Sequence, residues 1–359
     1  MTFEEARAEF PVLEHTAYLN AGSCGPLARR TVAALEAEQE RDLERGRSGA
    51  MFIDHMLELR QMLRDRLAGL VSAGPEQVAL TCSTTDGCNI VVGGLGLTSD
   101  DEVITTTDEH FGLIGPLHAS GARVVVVPSD PERIVAAVTA RTKLLALSQV
   151  LWTTGQVLPV RELRETTGLP ILVDGAQSVG AIPVEAEGLD FLTISGQKWL
   201  CGPDPTGGLV VSDPERVRVA RPSYFSRQAN EPDGSFTPWP GARRLEPGWL
   251  STGALAGLLA ALEVRPSWRF ERAAEAAERC RALLADAGED VVVPEDRATL
   301  VSWRPQGEEP ADVVARLADA RVVVRELPDT GLVRASIGWW TSDDDLDRLL
   351  AALQGSPLG

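Results

Sequence analysis

The stretch that decides the fold is Ile171–Lys198, ILVDGAQSVGAIPVEAEGLDFLTISGQK. It holds two short apolar runs, each leading to a residue that can carry charge. Ile171–Val173 ends in Asp174, and Phe191–Ile194 leads to Lys198. Such runs predict buried strands, and functional sites in α/β sheets are built at strand ends. We therefore expect Asp174 and Lys198 at neighbouring strand ends.

A carboxylate and a lysine at adjacent strand ends are the pair that pyridoxal 5'-phosphate (PLP) chemistry needs. The lysine attaches the cofactor covalently, and the aspartate keeps the pyridine nitrogen protonated, so that the ring accepts electrons. Asp174 could instead cap a helix, and Lys198 could be a surface lysine. The apolar pair Trp199-Leu200 after Lys198 argues against a fully solvated lysine. The sequence thus predicts PLP as cofactor, with Lys198 and Asp174 as catalytic residues.

Short apolar runs alternate with helical periodicity from Gln77 to Pro205, which predicts a mostly parallel sheet with helices on both faces. Besides the two runs above, the strand candidates are Val78–Leu80, Glu102–Thr105, Arg123–Val127, Leu144–Leu147 and Gly208–Val211. Arg221–Pro247 is rich in Pro, Gly and Ser without a clear period, and predicts a long loop over the site.

Helix and strand patterns also alternate in the C-terminal quarter of the chain. The predicted elements there are helices Ala273–Ala287, Pro310–Ala320 and Ser342–Gln354 and strands Thr299–Trp303, Val322–Arg325 and Leu332–Ile337. We predict an N-terminal segment (1–20), a large cofactor-binding domain (21–262) and a smaller C-terminal α+β domain (263–359).

With these motifs the chain resembles the class V aminotransferase group of fold-type I PLP enzymes, which includes cysteine desulfurases and isopenicillin-N-epimerase-like proteins. The segments Ser148–Val160, Thr84–Leu95 and Ile171–Ser178 are most similar to cysteine/cystine C–S lyases. The resemblance runs from about Tyr18 to about Leu353. It implies the fold-type I PLP-dependent transferase fold and a homodimer with shared active sites.

The resemblance also implies a set of cofactor-binding residues. Hydroxyl and N–H groups at a helix N-terminus bind anions, so the cofactor phosphate is expected at Thr84 and Thr85. His110 is expected to stack on the pyridine ring and to contribute to acid–base work, although a lone histidine is more often structural. Gln177 is expected at the O3′ side of the ring. The remaining predicted cofactor contacts are Ser195 and Gln197.

Arg334 matches the family's substrate-carboxylate arginine, whose planar fork orients a carboxylate. The alternative is a surface arginine at a strand edge. Asn20, Ala21 and Gly22 resemble the N-terminal loop that approaches the substrate. The chain departs from the family pattern at Gln197 and Gln149, where the family usually has histidines. Glutamine can still donate a hydrogen bond, but it cannot titrate as histidine does. Trp249 lies near the position of the threonine with which the partner subunit caps the phosphate.

Length, charge and composition exclude several classes of binding partner. The chain has 359 residues and a formal net charge of −18, which argues against nucleic acid and anionic membranes as partners. Its N-terminus lacks the apolar core of a signal peptide, and no apolar run is long enough to span a membrane. Five cysteines without a CxxC pair indicate reduced thiols and no metal site. We expect a cytoplasmic enzyme that acts on a small-molecule amino-acid substrate.

The leading functional hypothesis is a C–S lyase that converts cysteine, cystine or a cysteine S-conjugate into pyruvate, ammonia and a sulfur product. Cysteine desulfurases carry a nucleophilic cysteine before the carboxylate arginine, and Arg325–Arg334 (RELPDTGLVR) holds none. The alternatives are an aminotransferase or an amino-acid epimerase on the same scaffold. A third hypothesis is a non-catalytic partner protein with the PLP fold. The presence of Lys198, Asp174 and His110 argues against it.

Overall fold

The computed structural model describes residues 1–355. The helices are α1 (Phe3–Arg7), α2 (Arg29–Arg45), α3 (Gly49–Leu70), α4 (Thr84–Leu95), α5 (Phe111–Ala119), α6 (Pro131–Ala136), α7 (Val160–Thr167), α8 (Thr252–Ala261), α9 (Arg269–Asp286), α10 (Pro310–Asp319) and α11 (Asp343–Leu353). The strands are β1 (Ala17–Tyr18), β2 (Val78–Thr81), β3 (Glu102–Thr106), β4 (Arg123–Val127), β5 (Thr142–Ser148), β6 (Ile171–Asp174), β7 (Phe191–Ser195), β8 (Gly207–Val211), β9 (Arg227–Asn230), β10 (Phe236–Pro238), β11 (Asp290–Val291), β12 (Leu300–Arg304), β13 (Val322–Val323), β14 (Arg325–Leu327) and β15 (Leu332–Ser336).

A seven-stranded sheet in the order β2-β8-β7-β6-β5-β3-β4 forms the centre of the molecule. All neighbours are parallel except β8, which is antiparallel to both β2 and β7. Ile171 and Val173 of β6 pack in one hydrophobic core, whereas Leu172 between them packs in another. Successive side chains of a strand point to opposite faces, so both faces of this sheet are covered. The predicted α/β class with a mostly parallel sheet is confirmed.

A second, antiparallel sheet in the order β11-β12-β15-β14 lies in the C-terminal part of the chain. Its core includes Trp303, Val333 and Leu346. Ala17 and Leu19 belong to the same core, because β1 pairs in parallel with β13. The start of the chain thus packs on the C-terminal layer. The predicted division at residues 20 and 262 stays a prediction.

The segment Arg221–Pro247 is more ordered than its sequence indicates. It contains the antiparallel hairpin β9–β10 and a short 3₁₀ helix, Ala242–Leu245. The hairpin turns at Gly234, which has a positive φ of 89°, and the Asp233 carboxylate accepts the Ser235 N–H at 2.9 Å. The hairpin is mostly exposed, so it lacks the apolar alternation that makes a half-buried strand recognisable.

Two local features of the C-terminal layer bear on the sequence analysis. Helix α11 begins with the expected cap, since Ser342 accepts the Asp345 N–H and the Asp345 carboxylate accepts the Ser342 N–H. The single strand expected at Val322–Arg325 is divided into β13 and β14. Within residues 1–355, no helix combines the length and apolar character needed to cross a membrane.

Candidate active site

The site lies where β5, β6 and β7 end side by side. The register pairs Ser148 with Asp174, and Asp174 with Thr193. Lys198 follows the end of β7 by three residues. Because these strands are parallel, their carboxyl ends share one edge of the sheet. The predicted neighbourhood of Asp174 and Lys198 is therefore present in the fold.

Asp174 is a buried carboxylate with one oxygen atom that can still accept a hydrogen bond. Its Oδ1 accepts the Ala176 N–H at 2.9 Å and the Thr193 hydroxyl at 3.4 Å. Both bonds end on the same oxygen, so Oδ2 keeps its acceptor capacity. No ion pair among residues 1–355 includes Asp174. A buried carboxylate without a cation fits the protonated nitrogen of a pyridine ring.

Lys198 is half-buried beside this carboxylate. Burial lowers the pKa of its ammonium group to about 8; the Asp174 charge opposes this shift, and the Arg334 charge adds to it. Its segment is held by the N-terminal loop, since the Gly25 N–H donates to the Gln197 carbonyl at 2.8 Å. A Cβ on Gly25 would lie 2.2 Å from the Lys198 carbonyl oxygen, so glycine is required there. A lysine with a lowered pKa is suited to attach a carbonyl compound and to move a proton.

The predicted phosphate site is the N-terminus of α4. Ser83 caps the helix, and its hydroxyl accepts the Asp86 N–H at 3.1 Å. Thr84 and Thr85 lie in the first turn, where the helix offers no acceptor for their N–H groups. Gly112, near the start of α5, packs so closely that a Cβ there would lie 2.4 Å from Thr85 Oγ1. The free donors of this turn fit a phosphate group.

His110 caps α5 through its side chain, because its Nδ1 accepts the Gly112 N–H at 3.1 Å. The neutral ring therefore carries its hydrogen on Nε2. The ring lies edge-on to Trp152, with centroids 5.4 Å apart at 87°. Burial lowers the pKa of His110, and the Lys198 charge lowers it further. His110 belongs to the site, and its stacking on the cofactor stays a prediction.

The two glutamine side chains of the site are partly engaged. Gln177 donates from Nε2 to the Gly22 carbonyl and accepts the Trp199 indole N–H on Oε1, both at 2.9 Å. One Nε2 hydrogen remains for the predicted contact at the O3′ side. The Ser195 hydroxyl donates to Gln197 Oε1 at 2.8 Å, which leaves the Gln197 NH₂ group as a donor. The predicted roles of both glutamines stay predictions that this geometry allows.

Arg334 is fully buried, with 0% of its surface exposed. Its Nη1 donates to the Trp152 carbonyl at 2.8 Å, whereas Nε and Nη2 have no hydrogen-bond partner among residues 1–355. A Cβ on Gly22 would lie 2.6 Å from Nη2, so the N-terminal loop covers the guanidinium. Burial lowers the pKa of Arg334 to about 9, and the neighbouring Arg325 charge lowers it further. Buried donors without acceptors fit the carboxylate of an amino acid.

The other loop residues named from the sequence are placed beside this arginine. Asn20 bridges in parallel to Ser336 of β15, and its Oδ1 accepts the Ser23 hydroxyl at 2.9 Å. Ala21 is buried between Asn20 and Gly22. The loop thus reaches both the lysine segment and the arginine strand.

Arg325 is a site residue that the sequence analysis missed. It lies opposite Arg334 in the register of β14 and β15. Its Nη1 donates to the Ser23 hydroxyl at 3.0 Å, and its guanidinium carbon lies 5.9 Å from the centre of the Trp152 ring. The available signal was the turn sequence Pro328–Gly331, which marks a hairpin. The register that sets the two arginines opposite each other is visible only in the folded sheet.

These groups fit three of the polar parts of PLP. Asp174 matches the pyridine nitrogen, Lys198 the aldehyde carbon, and the first turn of α4 the phosphate. Fold and site together define a PLP-dependent enzyme of fold-type I. The chain belongs to the class V aminotransferase family, because the family profile described as Aminotransferase class-V matches residues 18–349.

Curated relatives extend over almost the whole chain. An isopenicillin N epimerase of Streptomyces clavuligerus is 30% identical, with 98% of this chain and 97% of the relative covered. A cysteine desulfurase of Serratia proteamaculans (strain 568) is 26% identical, with the same two coverages of 98% and 97%. The relatives thus include two different chemistries.

Solved structures agree with this assignment. A C-DES variant with glycine covalently linked to its PLP cofactor has a TM-score of 0.92 at 26% identity, covering 98% of this chain and 99% of that one. The cystine C–S lyase C-DES in complex with its reaction product, cysteine persulfide, has a TM-score of 0.91 at 27% identity, covering 97% and 100%. The predicted family, fold and cofactor are confirmed, and the roles of individual side chains stay predictions.

Proposed function

We propose that this enzyme is a PLP-dependent C–S lyase that eliminates a sulfur leaving group from Cβ of cysteine, cystine or a cysteine S-conjugate. With L-cystine, one water is consumed, and the products are pyruvate, ammonia and cysteine persulfide. The similarity to the cystine C–S lyase C-DES over almost the full chain supports this assignment.

The arrangement of Arg325 and Arg334 carries the proposal. The two guanidinium groups stand on neighbouring strands, one half-buried and one fully buried. Each can bind a carboxylate, and Arg334 keeps two donors without a partner. Cystine has two carboxylates, one at each end. Two arginines side by side therefore favour cystine over a substrate with one carboxylate.

The chain's own residues supply the proton transfers. PLP, when bound, withdraws electrons from the substrate Cα and so acidifies its C–H bond. Lys198, whose pKa burial lowers to about 8, takes the Cα proton in this proposal. Asp174 holds the proton of the pyridine nitrogen, and the N-terminal loop limits the access of water to Arg334.

Cysteine desulfuration through an enzyme persulfide needs a reactive thiol, and the hairpin between the two arginines has none. Cys280 is buried on α9, and burial raises its pKa to about 12. Cys24 is exposed, and burial of part of its side chain raises its pKa as well. Neither thiol has the lowered pKa of a nucleophile. These features favour elimination with release of the sulfur product.

The second candidate is an amino-acid epimerase, which the 30% identity to isopenicillin N epimerase favours. An epimerase returns the Cα proton on the opposite face, so the carbon skeleton stays intact. An aminotransferase is the remaining alternative on this scaffold, and it needs an oxo acid as acceptor. Both reactions use the same lysine and aspartate.

The deciding experiment follows L-cystine with purified holoenzyme. We expect pyruvate and cysteine persulfide in equal amounts without an oxo acid, and none with Lys198→Ala. Cys24→Ser is the matched control and should retain the activity of the wild type. Consumption that needs 2-oxoglutarate would replace the lyase with an aminotransferase. D-amino acid without pyruvate would replace it with an epimerase.

We also propose that the enzyme is a cytoplasmic homodimer whose subunits complete each other's sites. Phe111, Tyr224 and Trp249 are 79%, 62% and 48% exposed, and exposed aromatic side chains are typical of an interface. Phe111 follows His110 directly. Sedimentation equilibrium should give twice the chain mass of 38.5 kDa, and cell fractionation checks the compartment. A concentration-independent monomer with full activity would overturn the dimer.

A further inference from the structure

Two buried carboxylates lack a cationic partner within the part of the chain that the structure describes. Within residues 1–355, six Asp or Glu residues are buried. Four of them pair with arginine or histidine: Glu38 with His55, Glu102 with Arg123 and Arg141, Glu246 with Arg60 and Arg64, and Asp345 with Arg7. The other two are Asp174 and Glu109. Asp174 belongs to the cofactor site, whereas Glu109 has no role in the chemistry described above.

Glu109 is hydrogen-bonded to the ends of two strands and directly precedes His110, a residue of the candidate site. Its Oε1 accepts the Ser148 N–H at 2.9 Å and the Thr106 hydroxyl at 3.1 Å, and its Oε2 accepts the Ser148 hydroxyl. Thr106 is the last residue of β3, and Ser148 is the last residue of β5. His110 follows Glu109 directly. The carboxyl group therefore fixes the backbone directly before His110, the N-cap residue of α5.

Glu109 also shares its surroundings with Asp174. Ser148, which binds both Glu109 oxygens, pairs with Asp174 in the register of β5 and β6. The two carboxylates have a common neighbour, the Cys88 thiol on α4: burial raises the pKa of this thiol, and the Asp174 and Glu109 charges raise it further. The titratable groups around Glu109 are thus Asp174, Cys88 and the adjoining His110. No arginine or lysine among the described residues forms an ion pair with Glu109.

We propose that Glu109 is a positioning residue of the cofactor site, which fixes His110 to the ends of β3 and β5 and acts on the pyridine nitrogen through Asp174. Burial raises the pKa of Glu109 to about 7, and the hydrogen bonds from Ser148 oppose this shift. Its charge therefore changes near neutral pH. An ionised Glu109 adds a second negative charge behind Asp174 and strengthens the hold on the pyridine proton.

The test compares Glu109→Gln with Glu102→Gln in the PLP-loaded protein. Both changes neutralise a buried glutamate of the same region, but Glu102 lies at the opposite end of β3. The readout is the pH titration of the bound cofactor's absorbance without substrate. We expect the midpoint to fall by about half a unit or more in Glu109→Gln, because a nearby negative charge is lost. Glu102→Gln should keep the wild-type midpoint.

Ser148→Ala tests the same idea without removing the carboxyl. It deletes one hydrogen bond to Glu109, so the carboxyl ionises less and the midpoint should fall by a smaller amount. This variant decides the question if Glu109→Gln folds poorly. Unchanged midpoints in both variants would overturn the proposal and leave Glu109 a purely structural residue.

The kinetic part of the inference rests on the proposed lyase function. In Glu109→Gln we expect kcat to fall about tenfold while KM stays constant, because the arginine pair is untouched. The absorbance titration needs no substrate, so it stands even if the enzyme is an epimerase. A fall in kcat without a shifted midpoint would also contradict the role proposed for Glu109.

Discussion

The molecule treats its buried carboxylates in two opposite ways. Glu246 is fully buried and compensated: it accepts hydrogen bonds from Arg60, from Arg64 at 2.8 Å and from the Leu80 N–H at 3.3 Å. Asp174 and Glu109 are also buried, with 3% and 8% of their surface exposed, but only neutral donors bind them among the described residues.

The difference teaches which of these carboxylates can act on a ligand. Glu246 connects the end of the Arg221–Pro247 segment to α3 and β2 through hydrogen bonds. Its charge is neutralised by ion pairs with two arginines. An uncompensated buried carboxylate costs stability and persists where a ligand supplies the missing positive group. We propose the pyridine nitrogen of PLP as such a group for Asp174.

The largest expected effect is at the uncompensated aspartate. Asp174→Asn should lower kcat/KM on the order of 10³-fold, since the pyridine nitrogen loses its anionic partner. The melting temperature of the PLP-free protein should stay the same or rise, because an unpaired buried charge is removed. Steady-state kinetics and calorimetry measure both. A drop in melting temperature with unchanged kinetics would contradict the division into two kinds of carboxylate.

Glu246→Gln should produce the reverse result. Removal of one charge leaves Arg60 and Arg64 buried without a counter-ion, so the free energy of unfolding should fall by about 3 kcal/mol. The folded fraction should keep its kcat. Chemical denaturation monitored by fluorescence gives the stability, and active-site titration corrects the rate. A kcat loss as large as that of Asp174→Asn would break the comparison.

The pH dependence of stability sharpens the contrast for Glu109. Its pKa is raised from 4.5 to about 7, so the folded state keeps a proton that the unfolded state releases. The stabilisation is complete below pH 4.5 and is lost as pH rises through 7, about 3 kcal/mol in all. Glu109→Gln should lack this loss. The difference between the two unfolding curves from pH 4.5 to 7.5 isolates it from other titrating groups.

The smallest expected effect is at the arginine pair. Arg325→Lys keeps the charge but removes the planar fork, so KM for L-cystine should rise about tenfold with little change in kcat. Arg321→Lys, on an exposed neighbouring residue, serves as the control. An equal rise for L-cystine and a substrate with one carboxylate would show that Arg325 does not read the second carboxylate.

The positions of several residues of the candidate site could be predicted, because short segments of the sequence indicate the strands and the helix that carry them. The strands that carry Asp174 and Lys198 are buried on both faces, so they read as continuous apolar runs. The capped first turn of α4 is equally local. The hairpin β9–β10 escaped prediction because its strands face solvent and show no alternation.

By itself the sequence determined the class of fold and the lysine–aspartate pair, because apolar runs and helix caps are patterns of neighbouring residues, and its resemblance to class V aminotransferases indicated the cofactor. Only the tertiary structure decided three further features. Ala17 pairs with Val322 at the far end of the chain, Arg325 lies opposite Arg334 across a hairpin, and Glu109 accepts hydrogen bonds from Ser148, 39 residues further on. Contacts between distant residues depend on strand register and layer packing, which leave no periodic trace in the sequence.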